Sequence, residues 1–557
     1  MPTQTLGNSR TRPELIHDSE GVSVGTDVLV IGGGPAGCWA AVAAAEAGAS
    51  VVLADKGYCG TTGATASAGV GVWYVEPEAE ARERAIQSRE QLSGWLVDRR
   101  WMHRVLDKTH ERVGQLADWG YPFPTNDDGQ QVRKSLDGPE YMRRMRKQVA
   151  RARVRILDHS PALELLRDGS GAVCGASGIR RQRGDAWTVR AGAVVIATGG
   201  CAFQSGGLGC NVLTGDGHLM AAELGAELSG MEFSNAYAIS PAFSSVTKTA
   251  FYRYATFYTD DGVLEGAGAQ RGRSIIAREL LSRPVYARLD RAPADIRTDL
   301  RSSQPNFFLP FDRARIDPFT EKFAVTMRLE GTVRGTGGLR ITSHNCETTV
   351  PGLYAAGDAA TRELICGGFT GGGSHNAAWA ISSGSWAGGG AAEFAKSRRL
   401  SEHGPGRREP LQPAGGAGIR ACGPIERSLS AEVITRAVQQ EVIPCDRNLF
   451  RSELGLSESL GRLDDLWRRA RSGLQPEHER QPTVATLRAR ESVAMLTHAR
   501  WMYAVGRLRT ETRGMHKRID HPELDPAQQH RQLVGGLDRV WTALDPERPH
   551  SALELAA

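Results

Sequence analysis

No apolar run in this 557-residue chain approaches the ~18 residues that cross a bilayer, so a membrane-spanning helix is not expected. The opening residues, MPTQTLGNSRTRPELIHDSE, lack the apolar core of a secretory signal. Cysteine is sparse and scattered. The nine cysteines, an odd number, nowhere adopt C-x-x-C spacing. That argues against a disulfide framework and against a zinc or iron–sulfur site built from this chain alone. An excess of one charge is missing too. The chain has 68 Lys+Arg against 63 Asp+Glu, and a net charge of +5 over this length argues neither for nor against an acidic partner. The expectation is a cytoplasmic, reducing setting with no metal centre.

Glycine is abundant. It accounts for 65 residues, roughly 12% against a usual value of about 7%. It does not recur every third residue, so collagen is excluded. Three windows, 28–71, 199–217 and 331–390, hold 32 of the 65 glycines. Clustered glycine suggests backbone lying against a large ligand, with flexible loops as the plainer reading. The length suggests about three or four domain-sized units.

The first window decides between these readings. Asp27-Val-Leu-Val-Ile31 reads as a buried parallel strand. Gly32, Gly34 and Gly37 follow in G-x-G-x-x-G spacing, with Pro35 and Ala36 between them, and an alanine-rich helix runs through Ala47. A second strand, Ser50 to Ala54, ends on Asp55, which lies 18 residues past Gly37 and so near the usual spacing of about 20. Gly32 permits the tight turn, Gly34 lets a pyrophosphate reach backbone N–H groups, and Gly37 lets helix meet sheet. Asp55 is placed to accept ribose hydroxyls, and the helix N-terminus favours an anion. This is a dinucleotide site.

Beyond Asp55 comes a loop of small residues, from Lys56 through Thr61, Thr62 and Gly69. An NAD domain would continue its alternating units here. A longer ligand along the backbone fits better. Ala193 to Gly200 is a strand ending in a glycine turn, and Pro351 to Asp358 is a strand ending in an acid. Three separated segments converge on one cofactor, which identifies it as FAD.

With these residues in place, the chain resembles the flavoprotein subunit family of succinate dehydrogenase and fumarate reductase. That family includes L-aspartate oxidase and the adenylylsulfate reductase flavoprotein. The resemblance covers most of residues 26–395 and returns near 505–525. It rests on DVLVIGGGPAG (27–37), VVIATGG (194–200), TGDGHLMAAELGAELSGMEF (214–233), PGLYAAGD (351–358) and RTETRGMHKRIDHPE (509–523). The most specific is Thr214-Gly-Asp-Gly217 with the helix that follows.

The resemblance implies an α/β fold: a two-dinucleotide-fold FAD domain on a Rossmann-like parallel sheet, an inserted α+β capping domain and a C-terminal helical domain. The expected boundaries are a polar arm at 1–25, the FAD domain at 26–233 and 336–395, and the capping domain at 234–335. A linker at 396–429 and a helical domain with its tail at 430–557 complete the chain. The implied cofactor contacts are Gly32, Gly34, Pro35, Ala36 and Gly37 in the first turn, then Asp55, Lys56, Thr61, Thr62 and Gly69. Ala162, Thr198, Gly199, Gly200, Gly357 and Ser374 join them. Asp216 is expected close to the ribitol or flavin, and Asp358 at the ribitol. The Gly371-Gly-Gly-Ser374 turn, with Asn376 and Ala377 behind it, is expected at the flavin pyrimidine edge.

The sequence departs from the family where dicarboxylates are held. Tyr237 stands in place of the histidine after Met-Glu-Phe, Val333 with Arg334 beside it in place of the histidine before Gly-Gly, and Phe369 in place of an arginine. Fumarate, succinate and aspartate are therefore disfavoured as substrates. Arg283, in Ser282-Arg-Pro-Val285, matches the family's proton-donating arginine, with Pro where Asp is usual. It is the candidate proton donor or anchor, against a surface ion pair. His375 is a candidate acid/base, against a histidine satisfied by backbone. Tyr237 is a candidate hydrogen-bond donor, against pocket lining. Arg271 and Arg273 are further candidates for binding an anion. No histidine lies in Thr61–Thr65, where the family attaches flavin covalently, so noncovalent FAD is expected.

The aromatic residues Phe233, Tyr237, Phe243, Phe251, Tyr252, Tyr254, Phe257 and Tyr258 suit either a substrate wall or the core of the capping domain. The seven Lys/Arg from Arg143 to Arg155 read as a solvated helix face rather than a nucleic-acid patch. The implied activity is that of an FAD-dependent dehydrogenase or reductase of the fumarate reductase type. It moves a hydride between flavin N5 and a carbon of a small organic substrate, by desaturation or reduction next to a carbonyl. The alternative is an electron-transferring flavoprotein subunit with an iron–sulfur partner, as in adenylylsulfate reductase.

Overall fold

The apolar run at Asp27–Ile31 forms the end of a longer strand, β1 (Gly21–Ile31). Val28, Leu29 and Val30 have no exposed surface, as expected for a strand covered on both faces. The computed structural model describes residues 12–18, 21–247, 250–268, 272–370, 374–401, 411–420, 429–474, 482–547 and 549. Most of the N-terminal arm, all of Gly371–Gly373, Arg271, and 402–410 and 421–428 of the expected linker lie outside the described residues.

After β1 the chain turns into α1 (Pro35–Glu46) and returns as β2 (Val51–Ala54), parallel to β1. Further on, β3 (Arg155–Leu157) extends the parallel set beside β2. A meander of β4 (Ala162–Arg167), β5 (Val173–Arg180) and β6 (Asp185–Ile196) then brings the chain back to the far side of β1. There β6 runs parallel to β1 from Ala186 opposite Gly21 to Ile196 opposite Ile31. All of these strands belong to one nine-stranded sheet among the described residues. The glycine turn after β6 leads into α2 (Asp216–Ala222).

The following segment builds a second, antiparallel sheet. Its strands are β7 (Ala236–Pro241), β8 (Thr256–Thr259), β9 (Gly262–Val263), β10 (Val285–Arg288) and β11 (Phe323–Gly331), ordered β7-β11-β10-β8-β9. Helix α3 (Gly272–Glu279) lies between β9 and β10 in sequence. Phe251, Phe257, Phe307, Phe308, Phe311 and Phe323 fill the core here. Phe311 meets Phe323 edge-on at 4.7 Å and Phe307 at 5.3 Å. The aromatic cluster is thus mainly core, and of its members Phe251 also faces the central cavity.

The chain then rejoins the first sheet through β12 (Leu353–Ala355), parallel to β6, and enters α4 (Ser374–Ser401). This helix continues past residue 395. It packs on α1 backbone to backbone: a Cβ on Gly384 would stand 2.4 Å from the Ala36 carbonyl oxygen, and one on Gly388 2.1 Å from that of Ala40. No larger residue fits at either position. Strand β13 (Gln412–Pro413), within the expected linker, pairs with β4.

Helices α5 (Ala431–Val442), α6 (Glu453–Gly473) and α7 (Pro482–Leu508) follow. Ser430 and Ser452 cap the first two by accepting from the amides of Val433 and Gly455. The chain ends in strands as well as helices. β14 (Gln532–Gly535) pairs with the short strand Leu228–Ser229, and β15 (Trp541–Leu544) pairs with β14.

The R-T-E-T-R-G turn after α7 is bound by buried charges. Arg509, with no exposed surface, donates to Glu232 at 2.9 Å, to Glu511 at 2.8 Å, and to the carbonyls of Gln528 and His530. Arg513 shares the same Glu511 oxygen at 2.5 Å and donates to the other at 2.9 Å. Close by, burial and the Glu232 carboxylate push the Glu363 carboxyl up to about 8. The Arg-rich segment at 143–155 is also paired: Arg143 and Arg144 with Glu140, and Arg146 with Asp158.

Candidate active site

The three glycine windows meet at one cavity of about 710 Å3. Gly32, Gly34, Pro35 and Ala36 line it from the β1–α1 turn, Asp55, Lys56, Thr62 and Gly69 from β2 and its loop. Ala162, Thr198, Gly199, Gly357, Asp358 and Ser374 complete the predicted set on its walls. Gly32 takes φ +111°, and a Cβ there would lie 2.2 Å from the Ala197 carbonyl oxygen. Gly37 and Gly200 stand behind the wall. A Cβ on Gly37 would lie 1.8 Å from the Gly32 carbonyl oxygen, and one on Gly200 2.3 Å from the Thr332 hydroxyl oxygen. Thr61 is also off the cavity, its hydroxyl donating to the Tyr58 carbonyl at 3.2 Å. The loop turns that side chain outward.

This cradle fits FAD. Gly34, the residue preceding α1, has no protein atom within 4 Å of where its Cβ would be, and the same holds for Gly63 and Gly69; all three face the cavity. The first turn of α1 carries no side-chain cap, so its amides remain available to an anion. Asp55 accepts from the Gly33 amide at 2.6 Å and the Gly57 amide at 2.8 Å, which fixes the carboxylate at the end of β2. Opposite, Asn376 in α4 donates to the Val333 carbonyl at 3.0 Å. Its buried Oδ1 has no hydrogen-bond partner among the described residues.

Asp216 also lines the cavity. Its carboxylate pairs with Lys56 at 2.5 Å and accepts from Thr214 at 2.8 Å. Lys56 also contacts Glu491 of α7 at 2.7 Å and the Val212 carbonyl at 3.1 Å. Asp216 and Glu491 hold the ammonium in its charged form well above its usual range, overcoming burial. Asp216 is thereby tied to Lys56, the residue next to Asp55. Asp358 is held by Arg362, a residue the sequence reading passed over. Arg362 is fully buried and also donates to the Thr332 carbonyl at 2.6 Å. The signal was available as the i,i+4 spacing of acid and arginine.

The three catalytic candidates are not brought together. Arg283 pairs with Glu279 at 2.6 Å and with Asp261, its side chain 39% exposed, and it does not line the cavity. The surface ion pair is what the structure shows. Tyr237 is buried, and its hydroxyl donates to the Val442 and Ile443 carbonyls at 2.9 Å. Those carbonyls end α5 and need donors, so the ring faces the helical domain instead of the cavity. Burial pushes its phenol well above the usual range, unsuited to moving a proton near neutral pH. His375 packs against Trp73 with ring centroids 4.4 Å apart and the rings tilted by 32°, and its Nδ1 lies 3.3 Å from the Ser374 hydroxyl. Its neighbours Ser374, Asn376 and Ala377 line the cavity, whereas His375 does not. Phe369 packs against Phe233 and Met515, with the Arg89 guanidinium 5.6 Å from its ring centre. Val333 does line the cavity, as do Phe251, Arg273, Gln304 and Arg334 from the antiparallel sheet and its connections.

Two family profiles match the chain. One, described as an FAD binding domain, covers residues 27–242, and the other, fumarate reductase flavoprotein C-term, covers 437–537. The fumarate reductase flavoprotein subunit of Mycobacterium tuberculosis is 27% identical over 559 residues, covering 90% of this chain and 92% of that protein. The chain resembles the fumarate reductase and succinate dehydrogenase flavoprotein family along most of its length. L-aspartate oxidase of Streptomyces coelicolor is also 27% identical, over 95% of each chain. Among solved structures, FrdA of E. coli quinol fumarate reductase superposes with a TM-score of 0.79 at 20% identity, covering 95% of this chain and 97% of that one. The protein is an FAD-dependent oxidoreductase of this family. Among the described residues no helix is long and apolar enough to cross a membrane.

Noncovalent attachment is open to a direct check. Thr61–Thr65 offers only hydroxyls, alanine and glycine at the position of covalent linkage. Precipitating the purified yellow protein with acid is expected to leave a colourless pellet, with all flavin in the supernatant. Colour retained in the pellet would overturn this.

Proposed function

We propose that this enzyme reduces or introduces a carbon–carbon double bond beside the carboxyl group of a small organic acid other than a simple C4 dicarboxylate. One observation carries the reading: a single cavity is lined both by the FAD cradle and by Phe251, Arg273, Gln304 and Arg334. A substrate held by those four residues would share that cavity with the cofactor. FAD, when bound, supplies hydride exchange with the substrate carbon.

The protein's own part is to bind, orient and exclude water. The start of α4, with Ser374, Asn376 and Ala377 on the cavity wall, favours negative charge there. Arg362 fixes the Asp358 carboxylate while tying down the Thr332–Gly335 turn that carries Val333 and Arg334. Cofactor wall and substrate wall are thereby joined through one buried guanidinium. The positions at which relatives would hold a second carboxylate are Tyr237, turned to α5, Phe369, packed in a core, and Val333, which is apolar.

The test is anaerobic. Flavin is first reduced chemically, and then α,β-unsaturated monocarboxylates, fumarate and neutral enones are added separately. The oxidised absorbance near 450 nm is expected to return with an unsaturated monocarboxylate and at most about a tenth as fast with fumarate. If no unsaturated acid restores it, and no saturated acid bleaches the oxidised enzyme, the proposal fails.

A further inference from the structure

One cation on the substrate wall has no counter-charge of its own. Arg273, in the first turn of α3, lines the cavity and makes no hydrogen bond or ion pair with any described residue. Its side chain keeps exposed surface and stands on the cavity wall. Burial, with the Arg334 guanidinium nearby, pushes its pKa down to about 10, only partly offset by Glu330. Charged arginine without a partner in such a place is costly, and a bound anion removes the cost.

Arg334 is the second member. It also lines the cavity, and its Nε lies 3.1 Å from Glu330 Oε2. Glu330 has no exposed surface and is held by the Thr247 hydroxyl at 2.6 Å. Arg334 is thereby positioned through one edge of its guanidinium. The charges of Arg273, Arg334 and Glu330 sum to one positive charge. Arg253, a third cation on the wall, is occupied in donating to the Ala250 carbonyl at 3.1 Å. Phe251 and Val333 add apolar surface beside the pair.

We propose that Arg273 and Arg334 form an anion clamp that takes the single carboxylate of an unsaturated monocarboxylic acid, with Phe251 and Val333 against its apolar body. This rests on the proposed function and names its substrate class. A carboxylate accepts two parallel N–H bonds from a guanidinium fork. At Tyr237, Phe369 and Val333, where relatives would hold a second carboxylate, this chain offers no cation.

The experiment uses oxidised holoenzyme and cinnamate, which cannot turn over together because both are oxidised. Binding is read from the flavin difference spectrum and from calorimetric heat. Cinnamate is expected to bind at least about 100-fold more tightly than cinnamamide, the neutral isostere. Arg273→Met should weaken cinnamate about 100-fold while leaving cinnamamide and flavin content unchanged, and Arg273→Lys should recover about a tenth of the lost affinity. Arg334→Met should also weaken cinnamate selectively. Equal binding of acid and amide overturns the clamp, as does full affinity in Arg273→Met. Tighter binding of fumarate overturns the single-carboxylate assignment, and tighter binding of phenyl phosphate overturns the carboxylate. No hydride moves in these titrations, so the clamp and the proposed reaction fail separately.

Discussion

Gly34→Leu is expected to give a folded, colourless protein. Gly34 precedes α1 with φ −73° and ψ −174°, a conformation open to any residue. Its Cβ would meet no protein atom within 4 Å, so the added side chain extends into the cavity that the residue lines. It then covers the amides of the first turn, where a pyrophosphate would bind. Losing two charge-assisted hydrogen bonds, at about 1.5–3 kcal/mol each, weakens FAD at least about 100-fold. The absorbance ratio at 450 and 280 nm should fall at least about tenfold, while the melting temperature of FAD-free protein stays that of the FAD-free parent. Gly37→Leu is the contrasting variant. Its Cβ would lie 1.8 Å from a backbone oxygen, so no soluble folded protein is expected. Full flavin content in G34L would refute the placement of the cofactor on this turn.

The second large effect is at Arg509. Arg509→Leu removes the cation shared by Glu232 and Glu511, both without exposed surface. Breaking a buried ion pair from one side costs about 3–5 kcal/mol, because the remaining charge has neither water nor partner. Arg513 still serves Glu511, so Glu232 bears most of the loss. Denaturant unfolding should show a destabilisation of about 3–5 kcal/mol, and adding Glu232→Gln should return a substantial part. A loss below about 1 kcal/mol would mean that water reaches the network.

The cofactor half was legible because its constraints are local. A glycine turn between a buried strand and an alanine helix is dictated by backbone geometry over a few residues, as Gly32 and Gly37 show. The positions of charged and hydroxyl groups were far less legible. Tyr237 turns to α5 because of unsatisfied carbonyls about two hundred residues later in the chain. Arg283 finds Asp261 and Glu279 on the surface, and the local likeness to a catalytic turn carries no information about that. The pairing of Asp216 with Lys56, far away in sequence, left no local trace either. Arg273 attracted little notice in a chain rich in arginine. Its importance comes from the partner it lacks, which only three dimensions reveal.

Lys56 also bears on how the protein is made. The ammonium beside Asp55 is fixed by Asp216 and by Glu491, the latter from the third helix of the C-terminal part. The nucleotide-binding turn emerges from the ribosome early, whereas this wall of the pocket exists only once residue 491 has been synthesised and α7 has docked. Secure capture of the flavin is therefore a late event in the life of the nascent chain, and a polypeptide stalled before α7 would leave the ribosome without its colour.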